Sequence, residues 1–403
     1  MGINTKGYSI RDRSFWTIVI SLGGASVFVF AAMYSVQPLL PFFTEQFHIS
    51  VSVASLSVSM TTLSVILGLI VLGFLSDRYG RVLFIHLSIV FTVIPFFFMP
   101  LTDSFSTIIL LRFIQGFAIA GVPAAALAYL SEEIDQQSMG FATALYISCN
   151  ALGGTIGRLM MGYVTEYFSW KMAFVSLAIM GCIVMVIVWW MLPKSKNFSV
   201  QQRTIQQDLQ GFWFHLKNPH LLMLFGLGVI LQLSFTGVWS FIPYYLTAPP
   251  FLLSLQSISF IFLAYGLGII GSPFANALAG KVGLHTIRTF GVCLLTVGIL
   301  FTLSKSLFII VMGLCLACLG FFTAHALTSS LVSRLALYQK GSASSLYLVA
   351  YYLGVASGST ILSPVWSLFQ WHGIVTITAF LPITYLFILN SLQKQQKRDV
   401  LKK

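Results

Sequence analysis

The hydrophobic positions of the chain fall into long apolar runs that are separated by short polar segments. A helix of about twenty residues, rising 1.5 Å per residue, is long enough to cross a hydrocarbon core. Runs of this length lie near 15–40, 52–75, 82–101, 105–130, 140–163, 172–192, 219–246, 254–279, 286–304, 307–331, 342–364 and 371–392. The pattern therefore predicts an all-α integral membrane protein with twelve transmembrane helices.

The basic residues of the polar segments predict the orientation of these helices. An even number of spans places both termini on one side of the membrane, and loops on the cytoplasmic side are enriched in Lys and Arg. The termini and alternate loops carry nearly all of the Lys and Arg residues, whereas the opposite loops carry only Lys171 and Lys305. Both termini are therefore expected in the cytoplasm.

Composition agrees with a bilayer environment and excludes several classes of protein. The chain is 57% hydrophobic and 8% charged, which is far from the composition of soluble domains. Its net charge of +12 resides in the loops and ends, so no nucleic-acid surface is predicted. The sequence has no paired carboxylates, phosphate loop or metal-spaced His and Cys cluster, so we expect no enzyme, no metal and no cofactor.

A long polar connection and an internal repeat divide the chain. The Gln- and Lys-rich segment 193–218 is predicted to be a cytoplasmic linker between an N-terminal six-helix bundle, 1–192, and a C-terminal one, 219–392, which a basic tail, 393–403, follows. Residues 140–159 match residues 341–360 in composition and spacing. Two similar halves are therefore expected.

The hairpin G-F-L-S-D-R-Y-G-R at 73–81 is the most specific motif in the sequence. Gly73 and Gly80 allow close approach of the backbone, Asp77 is an isolated acid, and Arg78 and Arg81 lie at the membrane edge. Its counterpart in the second half, 280–283, reads G-K-V-G and lacks the acid. An anchor that only fixes orientation is the simpler interpretation, but it needs only the arginines.

Four motifs make the chain similar to the major facilitator superfamily, in its twelve-helix bacterial efflux branch. They are the hairpin, Q-P-L-L-P at 37–41, R-F-I-Q-G at 112–116 and G-G-T-I-G at 153–157. The resemblance implies a secondary transporter in the bacterial cytoplasmic membrane that works by alternating access. It also implies that Asp77 helps to close the cytoplasmic side. Arg158 occupies the place where efflux members usually carry proline.

Polar residues within the spans are the candidates for substrate binding and proton coupling. Charges inside a membrane are costly, so Arg112 and Arg158 are expected to be functional, and Gln115 shares a face with Arg112. The resemblance links Arg112 to proton coupling, while the alternative is a structural arginine bonded to backbone carbonyls. Arg158 lines the pathway or reaches outward toward Glu166. His325 is a proton carrier or the partner in an interhelical hydrogen bond.

Aromatic and polar stripes at helical spacing are the candidates for a substrate cavity. They recur at related places in the two halves, which favours a shared cavity over ordinary helix packing. The candidate cavity residues are Tyr34, Gln37, Tyr146, Asn150, Gln232, Phe235, Trp239, Tyr347 and Tyr351.

Two pairs of glycines lie at matching places in the halves. Gly153 with Gly157, and Gly354 with Gly358, have the small-xxx-small spacing that lets helices approach closely. We expect these contacts at the interface of the halves, and packing within one half is the alternative.

The sequence therefore predicts a monomeric transporter that exports neutral or amphipathic small molecules in exchange for protons. No Asp or Glu lies in the middle of a span, which disfavours a strongly cationic substrate. The alternative within transport is a carrier of organic anions that uses Arg112 and Arg158. Outside transport, the alternative is a membrane sensor with a transporter-like body.

Overall fold

The computed structural model describes residues 7–198, 205–336 and 340–401, and these are almost entirely helical. The chain forms two compact units. Unit 1 comprises Met1–Arg203 and Leu253–Leu263, and unit 2 comprises Thr204–Leu252 and Ala264–Lys403. Residues 199–204 of the predicted linker and 402–403 of the predicted tail lie outside the described residues.

Unit 1 contains nine α-helices, counted over its described residues. They are α1 (Arg13–Tyr34), α2 (Leu40–Gln46), α3 (Val51–Tyr79), α4 (Arg81–Phe98), α5 (Phe105–Ile119), α6 (Gly121–Glu133), α7 (Met139–Tyr167), α8 (Trp170–Met191) and α11 (Leu255–Ile261).

Unit 2 contains the remaining described helices. They are α9 (Ile205–Leu216), α10 (Pro219–Thr247), α12 (Tyr265–Val282), α13 (Leu284–Phe301), α14 (Leu307–Leu335), α15 (Lys340–Thr360) and α16 (Ser363–Leu401), the last with a kink at Gln370. Nine helical segments among the described residues of both units are long and apolar enough to cross a membrane.

Local sequence signals explain where several helices begin and end. The side chain of Ser50 caps α3, that of Ser169 caps α8 and that of Asn218 caps α10. The first span is interrupted after α1 by a 3-10 turn at Gln37–Leu39. Pro38 lies in this turn and has no N–H to continue the helix. The first predicted span therefore consists of α1, the turn and α2.

The connection between the second and third spans of each unit has the same backbone conformation. Gly80 has φ 104° and ψ 141°, and Gly283 has φ 106° and ψ 138°. Residues other than glycine rarely adopt this backbone conformation. Among the described residues, nothing lies within 4 Å of a Cβ placed at Gly73 or Gly80, so backbone conformation and not close approach explains Gly80.

The paired glycines pack against a neighbouring helix of their own unit. A Cβ at Gly153 would meet the backbone of Val27, and one at Gly157 the backbone of Ala31, both in α1. In unit 2, Gly354 and Gly358 face α10 in the same way. The structure thus shows the alternative expected from the sequence, packing within a half, and a contact across the halves stays a prediction.

Candidate functional site

Arg112 lies at the junction of three helices in unit 1. Its guanidinium group is fully buried and donates to the carbonyl oxygens of Ala32 (2.7 Å) and Met33 (2.7 Å) in the last turn of α1. Nε donates to the Ser57 carbonyl of α3 at 3.3 Å. The last carbonyls of a helix have no partner within it, and a cation there also complements the helix dipole.

Gln115 extends this junction to a fourth helix. Its Oε1 accepts from Nη1 of Arg112 at 2.6 Å, and its Nε2 donates to the Thr92 carbonyl of α4 at 2.8 Å. The bond to Gln115 and the three bonds to carbonyl oxygens together occupy four of the five N–H donors of the guanidinium group. The geometry is that of the structural arginine, and a role of Arg112 in proton coupling stays a prediction.

Arg158 lies on α7, beside the 3-10 turn that interrupts the first span. Its side chain is 2% exposed, and Nε donates to Oε1 of Gln37 at 2.9 Å. The guanidinium carbon lies 4.5 Å from the centroid of the Tyr34 ring and 4.9 Å from that of Phe262. The structure therefore brings together three predicted residues, Arg158, Gln37 and Tyr34, and adds Phe262.

Glu166 is not the partner that Arg158 meets. Its Oε2 accepts from the backbone N–H of Leu255 at 3.0 Å, at the start of α11. Arg158 points instead toward the break in the first span, so the outward orientation is not observed.

Tyr146 and Asn150 line the contact of α7 with α1. Asn150 Oδ1 accepts from the hydroxyl group of Ser26, and the Tyr146 side chain is buried one turn earlier on α7. Both residues thus take part in packing within unit 1.

The hairpin carries an ion-pair network around a buried arginine. Arg81 is 2% exposed and contacts Asp77 through Nη1, while its Nε donates to Oε1 of Glu132 at 3.1 Å. Nη1 also donates to Ser76 Oγ at 3.0 Å. Arg78 lies beside this network and is half-buried. The single arginine thus joins the end of α3 to the end of α6.

Glu133 binds the first residues after α8. Its Oε1 accepts from Ser195 Oγ at 2.9 Å and from the backbone N–H groups of Lys196 at 2.6 Å and Asn197 at 2.9 Å. The Lys196 ammonium group lies 5.2 Å from the ring centroid of Tyr8, and interaction with Tyr8 raises the pKa of Lys196. We call Glu133 and the segment 193–198 the linker clasp.

In unit 2, four rings form a column. The Phe235 and Phe321 rings are stacked at 4.0 Å, Phe321 and His325 at 5.6 Å, and His325 and Tyr347 at 5.5 Å between centroids. The Tyr347 hydroxyl lies 3.0 Å from Nδ1 of His325. Tyr351 packs on His325 with its ring centroid 4.8 Å away.

Of the two remaining predicted residues of unit 2, Trp239 contacts this column and Gln232 forms a hydrogen bond within its own helix. The Trp239 ring packs on Phe235 at 6.2 Å, and Nε2 of Gln232 donates to Thr236 Oγ1 at 3.0 Å. The structure therefore brings Phe235, Trp239, His325, Tyr347 and Tyr351 together. It also shows the interhelical hydrogen bond expected as the alternative role of His325.

Several residues of these sites were not predicted as site residues from the sequence. Glu132 and Glu133 lie at the end of an apolar run, where the sequence predicts only ordinary cytoplasmic charges. Arg288 read as an orientation charge, yet it is fully buried in α13. One signal was present, because Arg288 lies within the predicted apolar run 286–304.

The helices and the polar groups inside their spans define a polytopic membrane protein of the kind that carries solutes. The sequence profile of the Major Facilitator Superfamily matches residues 22–359, so the chain belongs to this superfamily. The predicted family and the twelve-helix fold are confirmed, and the chain is a transporter and not an enzyme.

Bacterial relatives and solved structures agree with this assignment. The chain is 35% identical over 383 residues to the MFS-type transporter YybF of Bacillus subtilis, with 95% of each chain covered. It is 32% identical over 384 residues to the inner membrane transport protein YnfM of Escherichia coli, covering 94% of this chain and 91% of that protein.

Two solved structures show the fold. A nucleoside transporter, NupG, has a TM-score of 0.75 at 14% identity, covering 93% of this chain and 99% of its own. A bacterial homologue of the human lysosomal transporter Spinster has a TM-score of 0.76 at 13% identity, covering 93% and 96%.

Proposed function

We propose that the protein exports neutral or amphipathic compounds in exchange for protons by alternating access. The single observation that carries this proposal is the ring column of unit 2, Phe235, Phe321, His325 and Tyr347. Stacked aromatic rings offer large apolar faces with few polar atoms, which suits a planar and weakly charged substrate. The absence of acids from the middle of the spans in the sequence supports the same class.

His325 is the group that we assign to proton exchange. An imidazole is the side chain whose charge changes most readily near neutral pH. Its contact with the Tyr347 hydroxyl provides a partner that can accept or donate a hydrogen bond as the ring gains or loses a proton. The proposal also places the protein as a monomer in the bacterial cytoplasmic membrane with both termini in the cytoplasm. It assigns Asp77 to closure of the cytoplasmic side.

A flux experiment in proteoliposomes tests this function. Radiolabelled chloramphenicol, a neutral aromatic compound, is followed with and without an imposed pH gradient. Efflux should depend on the gradient in the unchanged protein, and His325→Gln should abolish this dependence. His220→Gln, a change at an exposed histidine of the same unit, is the control and should leave it unchanged. Efflux that does not depend on the pH gradient would exclude proton exchange.

A carrier of organic anions is the second candidate. It is favoured by two buried arginines, Arg158 and Arg288, which are 2% and 0% exposed. Arg112, the other arginine in that prediction, supports it less, because carbonyl oxygens and Gln115 occupy most of its donors. Flux of benzoate that exceeds flux of the neutral analogue benzamide would favour this candidate.

A further inference from the structure

The segment Leu253–Leu263 belongs to unit 1 although the chain on both sides of it belongs to unit 2. It contains α11, which packs along one face of α7. A Cβ placed at Gly162 of α7 would meet the side chain of Ser259 and lie 3.0 Å from the Leu255 carbonyl oxygen. Only glycine therefore allows α11 to approach α7 this closely.

Three side chains of α7 hold this segment. Arg158 lies against the ring of Phe262, Glu166 accepts from the N–H of Leu255 at 3.0 Å, and the Tyr167 hydroxyl donates to Oε1 of Gln256 at 2.8 Å. Arg158, Gly162 and Glu166 are four residues apart, so they share a face of the helix. The contacts thus extend over the last turns of α7.

The Arg158 contact differs from the other two because it is buried and because it joins a guanidinium group to aromatic rings. The guanidinium group lies between Tyr34 of α1 and Phe262 of the segment. A guanidinium group between two aromatic rings is attracted to both faces, more strongly when desolvated, and a lysine does not reproduce the planar stacking. Arg158 therefore ties the segment to the broken first span as well as to α7.

The chain is strained where the segment begins. Leu252 has φ 49°, a left-handed backbone conformation that residues other than glycine rarely adopt. Such strain persists only where surrounding contacts impose it. The contacts of α7 are the ones that immediately follow Leu252 along the chain.

All of these contacts lie at the end of α7 opposite the hairpin. The start of α7 follows Glu133, which lies beside the hairpin network of Arg81 and Glu132. The helix Met139–Tyr167 spans the unit between the two ends. The hairpin and the segment are thus at opposite membrane faces.

We propose that Arg158 is a positioning residue of the transport cycle, which holds Leu253–Leu263 on α7 as a latch at the membrane face opposite the hairpin. Each opening of that face breaks the contacts of Arg158, Glu166 and Tyr167. The proposal rests on alternating access, which is part of the proposed function.

The test measures access to Ser259, which is 1% exposed. Ser259→Cys is placed in a chain whose five native cysteines are replaced by alanine, and labelling of the purified protein by a maleimide is timed. Arg158→Gln should speed labelling by about tenfold, because a desolvated stacking contact is lost. Phe262→Leu should do the same from the other side, and Phe262→Tyr should retain slow labelling.

Lys171→Gln is the matched control. Lys171 is a cation at the same end of unit 1, and its ion pair with Asp103 is exposed, so labelling should stay slow. Unchanged labelling in a folded Phe262→Leu protein would overturn the latch even if Arg158→Gln fails to fold. Equal acceleration by Lys171→Gln would also overturn it.

The measurement needs neither substrate nor pH gradient. Loss of gradient dependence in the flux experiment would therefore refute proton exchange and leave the labelling result standing. Unchanged labelling would refute the latch and leave proton exchange standing.

Discussion

The hairpin of unit 1 and its counterpart in unit 2 share a backbone and differ in their side chains. Gly80 and Gly283 have φ and ψ values that agree within 3°, and each N–H donates to the carbonyl four residues earlier. The residue after the glycine is Arg81 in unit 1, bonded to two acids. In unit 2 it is Leu284, which packs on an apolar cluster that includes Ala279 and Ile287.

The difference shows what each part of the motif contributes. The turn needs glycine in both units, because its positive φ is a backbone requirement. The ion-pair network is not needed to make the turn, since unit 2 makes it with apolar packing. The charges of unit 1 therefore serve something other than the local fold, which supports the proposed role of Asp77.

The largest effect on stability is expected for Arg81→Leu, which gives unit 1 the residue of unit 2. It leaves Asp77 and Glu132 without their cation, and the acids are 31% and 19% exposed. This partial exposure reduces the loss in free energy of unfolding to about 2 kcal/mol, below the ~3–5 kcal/mol of a fully buried pair. Unfolding in mixed SDS micelles measures it. Arg78→Leu is the control, and an equal loss there would contradict the network.

A smaller effect is expected for Gly80→Ala and Gly283→Ala. Each should lower the free energy of unfolding by about 1–2 kcal/mol, because alanine is strained at this positive φ. The two losses should be equal, since the two backbones are equal. Gly73→Ala, where φ is helical and open space is available, is the control in the same assay. A loss confined to Gly80 would show that the two turns are not equivalent.

The smallest effect on stability is expected for Asp77→Asn. Arg81 keeps its bonds to Glu132 and Ser76, so the free energy of unfolding should change by less than about 1 kcal/mol. Transport in proteoliposomes should nevertheless be lost. Asp103→Asn, at an exposed ion pair, should retain transport. Full transport by Asp77→Asn would show that the hairpin only fixes the orientation of the helices.

The sequence predicted the features that depend on local pattern. Apolar run length gave the spans, and the repeat anticipated that Gly80 and Gly283 occupy matching turns. Arg112 was recognised as important because a charge inside a span is conspicuous whatever its partners.

Gln115 was expected on the face of Arg112 that it contacts, but the other partners could not be predicted. Arg112 binds carbonyl oxygens, which every residue has, so no sequence signal marks Ala32 or Met33. Phe262 is one of 36 phenylalanines, and only the packing of α11 on α7 selects it as the partner of Arg158. Such choices depend on contacts between residues far apart in the chain.

The linker clasp has a consequence for dividing the protein into two separately expressed pieces. A gene cut after Leu192 would remove all three donors from the buried Glu133 carboxylate and leave that charge without hydrogen bonds. A cut placed beyond Phe198 would keep them with the first piece. The position at which the chain should be divided is therefore determined by the Glu133 carboxylate in the fourth span, about sixty residues earlier in the chain.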